Sequence, residues 1–134
     1  MFHPSQPRVM AVLDWELSTL GHPMADFAYH CMSWHITPGV FRGIGGLDIA
    51  SLGIPSETQY LQRYCERTQT APPTPADWNF YLAYNLFRIA AILQGVAKRA
   101  QDGTASSDQA KASGAGARPL AELAWQFAQR AGAH

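Results

Sequence analysis

Cysteine is scarce in this chain: there are 2 in 134 residues, Cys31 and Cys65. Two cysteines build no disulfide framework. With no recognisable secretory leader ahead of the first apolar run, a cytoplasmic setting is expected. Charge of one sign is also lacking, because 10 Lys plus Arg balance 10 Asp plus Glu. A nucleic-acid surface shows a basic surplus, so no nucleic-acid partner is expected. Nor are there long hydrophobic runs. The longest near the middle, Ile89 to Leu93, falls far short of the roughly 20 residues a bilayer span needs, so no membrane partner is expected either. Internal repeats are absent.

What is present favours a packed domain. The chain is 47% hydrophobic, above the range of disordered chains. A chain of this length can bury roughly two-thirds of the surface its unfolded form exposes.

The pattern along the chain predicts a mostly helical domain with one small β-hairpin. Phe2-His3 and Arg8–Leu13, separated by Pro4-Ser5-Gln6-Pro7, read as the hairpin, with Val9–Leu13 as a buried strand. Such a pair is marginal in water and must pack on something else. A helix is predicted from Met24 to about Trp34, with Pro23 in its first turn and Phe27, Ala28, Cys31 and Met32 inward. Residues 37–55 are rich in glycine but lack the GxxxxGK[ST] phosphate-loop pattern, and read as a flexible connection.

Ser56-Glu57-Thr58-Gln59 is a capping box that opens a helix to about Thr68. Pro72, Pro73 and Pro75 break it, and Asp77 is placed as cap of the next helix, to about Ala100. There Leu82, Leu86, Ile89, Leu93 and Val96 form one stripe, and Phe80, Tyr84, Phe87 and Ala91 a second. Two stripes predict a helix buried on most sides. A mobile loop is expected near 101–118, then a final helix opened by Pro119, with Leu120, Leu123, Ala124 and Phe127 inward.

The stretch with most chemistry is Val9–Ala28, VMAVLDWELSTLGHPMADFA. Asp14 falls at the end of the apolar run, where a carboxylate can leave the core and reach a ligand. Asp26 falls at the head of a helix, where a negative charge complements the dipole. Mg²⁺ is a hard cation that takes one or two carboxylates along with phosphate oxygens and water, so a rigidly held Asp suits it.

The string Asp14-Trp15-Glu16, Gly21-His22-Pro23, Asp26-Phe27-Ala28 resembles the metal-binding segment of aminoglycoside phosphotransferase-like kinases. The closest resemblance is to the branch fused to acyl-CoA dehydrogenase domains. It implies part of the C-terminal lobe of a protein-kinase-like (α+β) fold. It also implies transfer of a phosphoryl group from ATP, held with Mg²⁺, to a hydroxyl of a small-molecule acceptor. By the same resemblance Asp14 is the metal ligand, and Asp26 is a buried brace for the catalytic loop. Glu16 stands as either a ligand-supporting group or a solvated loop carboxylate. Relatives often carry Asp where His22 stands, so His22 receives no role.

The resemblance assigns no catalytic residue here. The His-x-Asp-x-x-x-x-Asn loop of these kinases, their phosphate-covering glycine loop and their phosphate-pairing Lys have no counterpart in the chain, which reads as a C-terminal fragment expected to be inactive alone. Its missing N-terminal half or a self-association partner would complete it. Residues 1–36 are expected to hold the hairpin, the metal segment and the following helix, and 37–134 a helical subdomain.

Other residues weigh less. Cys31 and His35 have a zinc-like spacing, but no second ligand pair accompanies them, and packing is the better reading. Tyr81, Asn85 and Arg88 are candidates to face an acceptor, with Arg88 expected to pair with a carboxylate or line a polar cleft. Trp34 and His35 are equally possible lining residues. The alternative function is a non-catalytic helical module that binds a small molecule or a protein.

Overall fold

A computed structural model describes residues 1–15, 18–104 and 114–134. Four α-helices lie among them: α1 (Pro23–Cys31), α2 (Glu57–Thr68), α3 (Pro75–Gln101) and α4 (Ala117–Arg130). A short 3₁₀ turn, Met32–Trp34, extends α1.

Local chemistry fixes the helix starts. Pro23 sits in the first turn of α1, and His22 is its cap, with Nδ1 accepting from the Met24 amide at 3.3 Å. At α2 the capping box is complete: Ser56 Oγ accepts from the Gln59 amide at 3.3 Å, and Gln59 Oε1 accepts from the Ser56 amide at 3.0 Å. The cap of α3 is Thr74 rather than the expected Asp77. Pro75 suits the first turn, which moves the start back and leaves Asp77 to donate its amide to Thr74 Oγ1 at 3.2 Å.

The core lies where α3 meets α1, the 3₁₀ turn and α4. Its buried side chains include Cys31, Met32, Ile36, Leu82, Leu86, Ile89, Leu93, Leu120 and Phe127. Burial of groups of this size contributes roughly 1.5–3 kcal/mol each. At 27 residues, α3 is about 40 Å long and serves as the spine. Its length and apolar character would also suit a membrane-spanning helix, but its Leu82–Leu93 face is packed into this core.

The expected second stripe of α3 is a correction. Phe80 is 58% exposed, Phe87 is 65% exposed, and Tyr84 is also exposed. The helices α1 and α4 pack against α3, and no described element covers the face that carries Phe80, Tyr84 and Phe87. The aromatics therefore form one wall of an open groove instead of a second core face.

The hairpin is a second correction. Among the described residues there is no strand, only an isolated antiparallel bridge between Phe2 and Val9, beside a 3.0 Å bond from the His3 amide to Arg8 O. Pro4 and Pro7 carry no amide hydrogen to extend a ladder. The Val9–Leu13 run is not buried: Val9 and Leu13 are each 60% exposed. No described helix packs over it, so its apolar pattern has no partner face.

Within the stretch expected as a loop near 101–118, α3 reaches Gln101 and α4 begins at Ala117, ahead of Pro119. Residues 105–113 of that stretch lie outside the described residues.

The glycine-rich connection at 37–55 is tied down. The Ile44 amide donates to Ser33 O at 2.8 Å, and the Gly45 amide to Ile36 O at 2.9 Å. A Cβ on Gly43 would stand 1.9 Å from Ile36 O. Glycine is needed at 43 for this close backbone approach.

Candidate functional site

Asp14 lies on the exposed segment before α1, with its backbone in the left-handed region at φ 73°. A non-glycine residue there is under strain, of the order of 1 kcal/mol or more, and such strain clusters at functional positions. Local bonds on both sides shape the turn. The Trp15 ring N–H donates to Val12 O at 2.8 Å, and the Ser18 amide donates to Trp15 O at 3.0 Å. The Ser18 hydroxyl donates to the same carbonyl. The Asp14 carboxylate is thus presented to solvent on a defined turn. Glu16 lies outside the described residues.

Asp26 occupies the first turn of α1 and is exposed. This corrects the expectation that it is buried. The inward positions of α1 are Met24, Ala28 and Cys31, spaced 4 and 3 apart, and Asp26 falls off that stripe. Its carboxylate is exposed, and its position favours negative charge.

Tyr81, Asn85 and Arg88, the candidates to face an acceptor, make contacts with α1 and its cap residue. They form one row on α3 that meets one row on α1. The His22 ring stacks on Tyr81 at 5.6 Å. Asn85 Nδ2 donates to Ala25 O at 2.8 Å. Arg88, exposed, lies over the Tyr29 ring at 5.5 Å in place of the expected carboxylate. Both rows ascend together, so these contacts fix α1 parallel to α3 and set the height of its first turn.

Asn85 is fully buried. Its Nδ2 also donates to Tyr81 O at 3.0 Å, while its Oδ1 has no partner among the described residues. Two carbonyls at the nitrogen fix the orientation of the amide, since a flip would set oxygen against oxygen.

Trp34 and His35 lie on the far side of α1, against α2. His35 Nε2 is 2.8 Å from Glu57 Oε1, and the same oxygen accepts from the Trp78 ring N–H at 3.3 Å. Trp34 donates to Pro55 O at 3.1 Å and stacks on Tyr60 at 5.4 Å. Burial pushes the neighbouring Cys31 thiol up to about 12, with the Glu57 charge adding to the effect. A thiol held protonated is neither nucleophile nor metal ligand. No group of three or more His, Cys, Asp or Glu side chains converges as a metal site among the described residues.

Sequence reasoning missed His22 as a cap and Glu57 as the acceptor shared by His35 and Trp78. Capping preferences favour Ser, Thr, Asp and Asn, which hides a histidine. The helix-opening position of Glu57, one residue after Ser56, is a signal for a carboxylate near helix amides but not for its distant partners.

The groove on the other side of α3 has a volume of about 550 Å³. Phe80, Tyr84, Phe87 and Trp125 wall it, over a floor that includes Ala83, Ala121 and Ala124. It is apolar, and no charged side chain lines it among the described residues.

Comparison with known proteins identifies the family. Residues 1–78 match the model of the phosphotransferase enzyme family, APH. Over 98% of its length the chain is 48% identical to acyl-CoA dehydrogenase family member 10 of Mus musculus, of which it spans 12%. It is 39% identical over 97% of its length to family member 11 of Rattus norvegicus, of which it spans 17%. A crystal structure from Ralstonia eutropha JMP134, described as a candidate aminoglycoside phosphotransferase, superposes with a TM-score of 0.83 at 64% identity. That match covers 97% of this chain and 39% of the other. The mainly helical architecture fits the C-terminal lobe of a kinase-like phosphotransferase, and the chain belongs to the phosphotransferase enzyme family.

Proposed function

We propose that this chain is the metal-side portion of an ATP-dependent phosphotransferase acting on a hydroxyl of a small molecule. The observation that carries the reading is Asp14. It is a strained, exposed carboxylate on a bonded turn, within the segment that matches the family. One such carboxylate fits Mg²⁺, which retains water and completes its shell with phosphate oxygens. Bound there, Mg²⁺–ATP would supply the phosphoryl group and the cation that neutralises its charge.

The chain's own residues hold and orient. Asp14 would hold the metal. Asp26, at a helix start fixed by the α1–α3 row, would accept amides of the catalytic loop and brace it. Because the sequence shows no counterpart of the His-x-Asp-x-x-x-x-Asn catalytic loop, the chain alone is expected to bind Mg²⁺–ATP without turning it over. The test is ATP consumption by the purified chain in the presence of Mg²⁺. Sustained consumption abolished by Asp14→Ala would overturn the inactive-alone part of the proposal.

A second reading, a non-catalytic binding module, is favoured by the apolar groove between α3 and α4. Its volume, about 550 Å³, is within the range of small-molecule sites. A concentration-dependent oligomer, or a ligand whose affinity ignores metal and Asp14, would favour this reading over the first.

A further inference from the structure

We propose that α2 is a latched cover, able to leave the α1–α3–α4 body as a unit, with Glu57 as its latch. The main buried cluster consists of residues from α1, the 3₁₀ turn and the residue after its cap, α3 and α4, while α2 contributes one buried residue, Cys65, outside it. Detaching α2 therefore leaves that core closed. Tyr60 packs against its edge, and the remaining attachments are the buried Cys65, ring stacking, the Trp34 bond to Pro55 O just ahead of the helix, and one carboxylate oxygen. Phe27 of α1 stacks on Tyr64 at 3.9 Å and on Tyr60 at 5.1 Å. Glu57 Oε1 meets His35 Nε2 and the Trp78 ring N–H, joining α2 to the end of α1 and to the start of α3.

Both flanks of α2 suit a hinge. Ahead of it, the connection from 37 is anchored at Ile44 and Gly45 and again where the Trp34 ring N–H donates to Pro55 O, and between these points it turns through Gly46 at φ 83° and Gly53 at φ 69°. Behind it, Gln69 caps the helix at φ 55° in the left-handed region. The chain then runs to Pro75 past Pro72 and Pro73, which disfavour helical continuation. At 12 residues, α2 is marginal as an isolated helix in water, so leaving the body also loosens its own hydrogen bonds. Opening uncovers the aromatic face of α1 and its 3₁₀ turn, Phe27 and Trp34, which the closed chain half-buries.

Hydrogen exchange followed by mass spectrometry on the full chain tests this. In the wild type, amides of Glu57–Thr68 should exchange through a local opening, well before those of Leu82–Leu93. Glu57→Gln should raise α2 exchange about tenfold or more, the factor expected from a lost charge-assisted hydrogen bond, and leave α3 unchanged. Trp78→Phe, which removes one donor to the same oxygen, should raise it by a smaller factor. Wild-type α2 amides exchanging together with those of α3 would overturn the proposal, as would variants that accelerate both helices equally.

Discussion

Asn85 and Ala25, 60 residues apart in the chain, are joined by a 2.8 Å hydrogen bond from a fully buried amide. That bond ties the middle of the spine to the first turn of α1, beside Asp26, between the His22–Tyr81 and Tyr29–Arg88 contacts. A helix with a few turns of its own cannot hold one register against a longer neighbour by apolar burial alone. The directional bond selects it.

Replacing Asn85 tests this. Asn85→Ala should cost about 1–3 kcal/mol in a denaturant melt, from the lost bonds and the space left behind. Asn85→Asp should cost more at neutral pH, because a carboxylate would face the Ala25 and Tyr81 carbonyl oxygens. Its folded-state pKa would rise, so the protonated form is favoured in the fold, and the deficit should shrink in acid and grow as pH rises. Equal cost at all pH values would argue against the carbonyl cage.

Gly43 gives a sharper steric test. With an added Cβ 1.9 Å from the backbone oxygen of Ile36, Gly43→Ala has no side-chain rearrangement that relieves the clash. The expected cost is about 1–3 kcal/mol or more, from overpacking and the displaced Gly45–Ile36 bond. Gly39→Ala has open space around its Cβ, so its cost should come from its positive φ alone. A lowered Tm for both variants by equal amounts would contradict the close approach at 43.

Cys31 predicts an alkaline weakening. Its thiol ionises at about 12 in the fold against 9.0 as the ordinary value, chiefly from burial. A folded-state value raised above the unfolded one means that stability is fully present below pH 9.0 and declines as pH climbs toward about 12, where the unfolded thiol ionises first. Cys31→Ala should be less stable at neutral pH but show a shallower decline over that alkaline interval. Parallel declines would mean that Cys31 does not hold its proton in the fold.

Local signals were legible in the sequence, and distant partnerships were not. The Ser56–Gln59 capping box was readable because both of its bonds span three residues. The Leu82–Leu93 stripe was readable because its period is the helix's own. The same periodicity misled at Phe80, Tyr84 and Phe87, since an apolar stripe records what could be covered, and neither α1 nor α4 covers this one. Val9–Leu13 failed for the same reason, its apolar side chains having no described face to meet. At the candidate site the Asp14 motif was visible by its spacing, but its left-handed backbone was not, because Asp carries no φ in its letter. The row Tyr81, Asn85 and Arg88 looked like pocket lining, since polar groups on an apolar helix need partners. That those partners are His22, Ala25 and Tyr29 is a tertiary fact.

Asp14 separates fold from function. Asp14→Gly removes a side chain from an exposed, left-handed position, so the strain relieved and the chain entropy gained by the unfolded state should nearly cancel, within about 1 kcal/mol. The variant should melt close to the wild type without ligand. The most direct test of the metal–nucleotide proposal is therefore a thermal melt of wild type and Asp14→Gly, each with and without Mg²⁺–ATP. The account predicts a rise in Tm for the wild type that the variant lacks. An equal rise in both, or no rise in a cooperatively melting wild type, would contradict it.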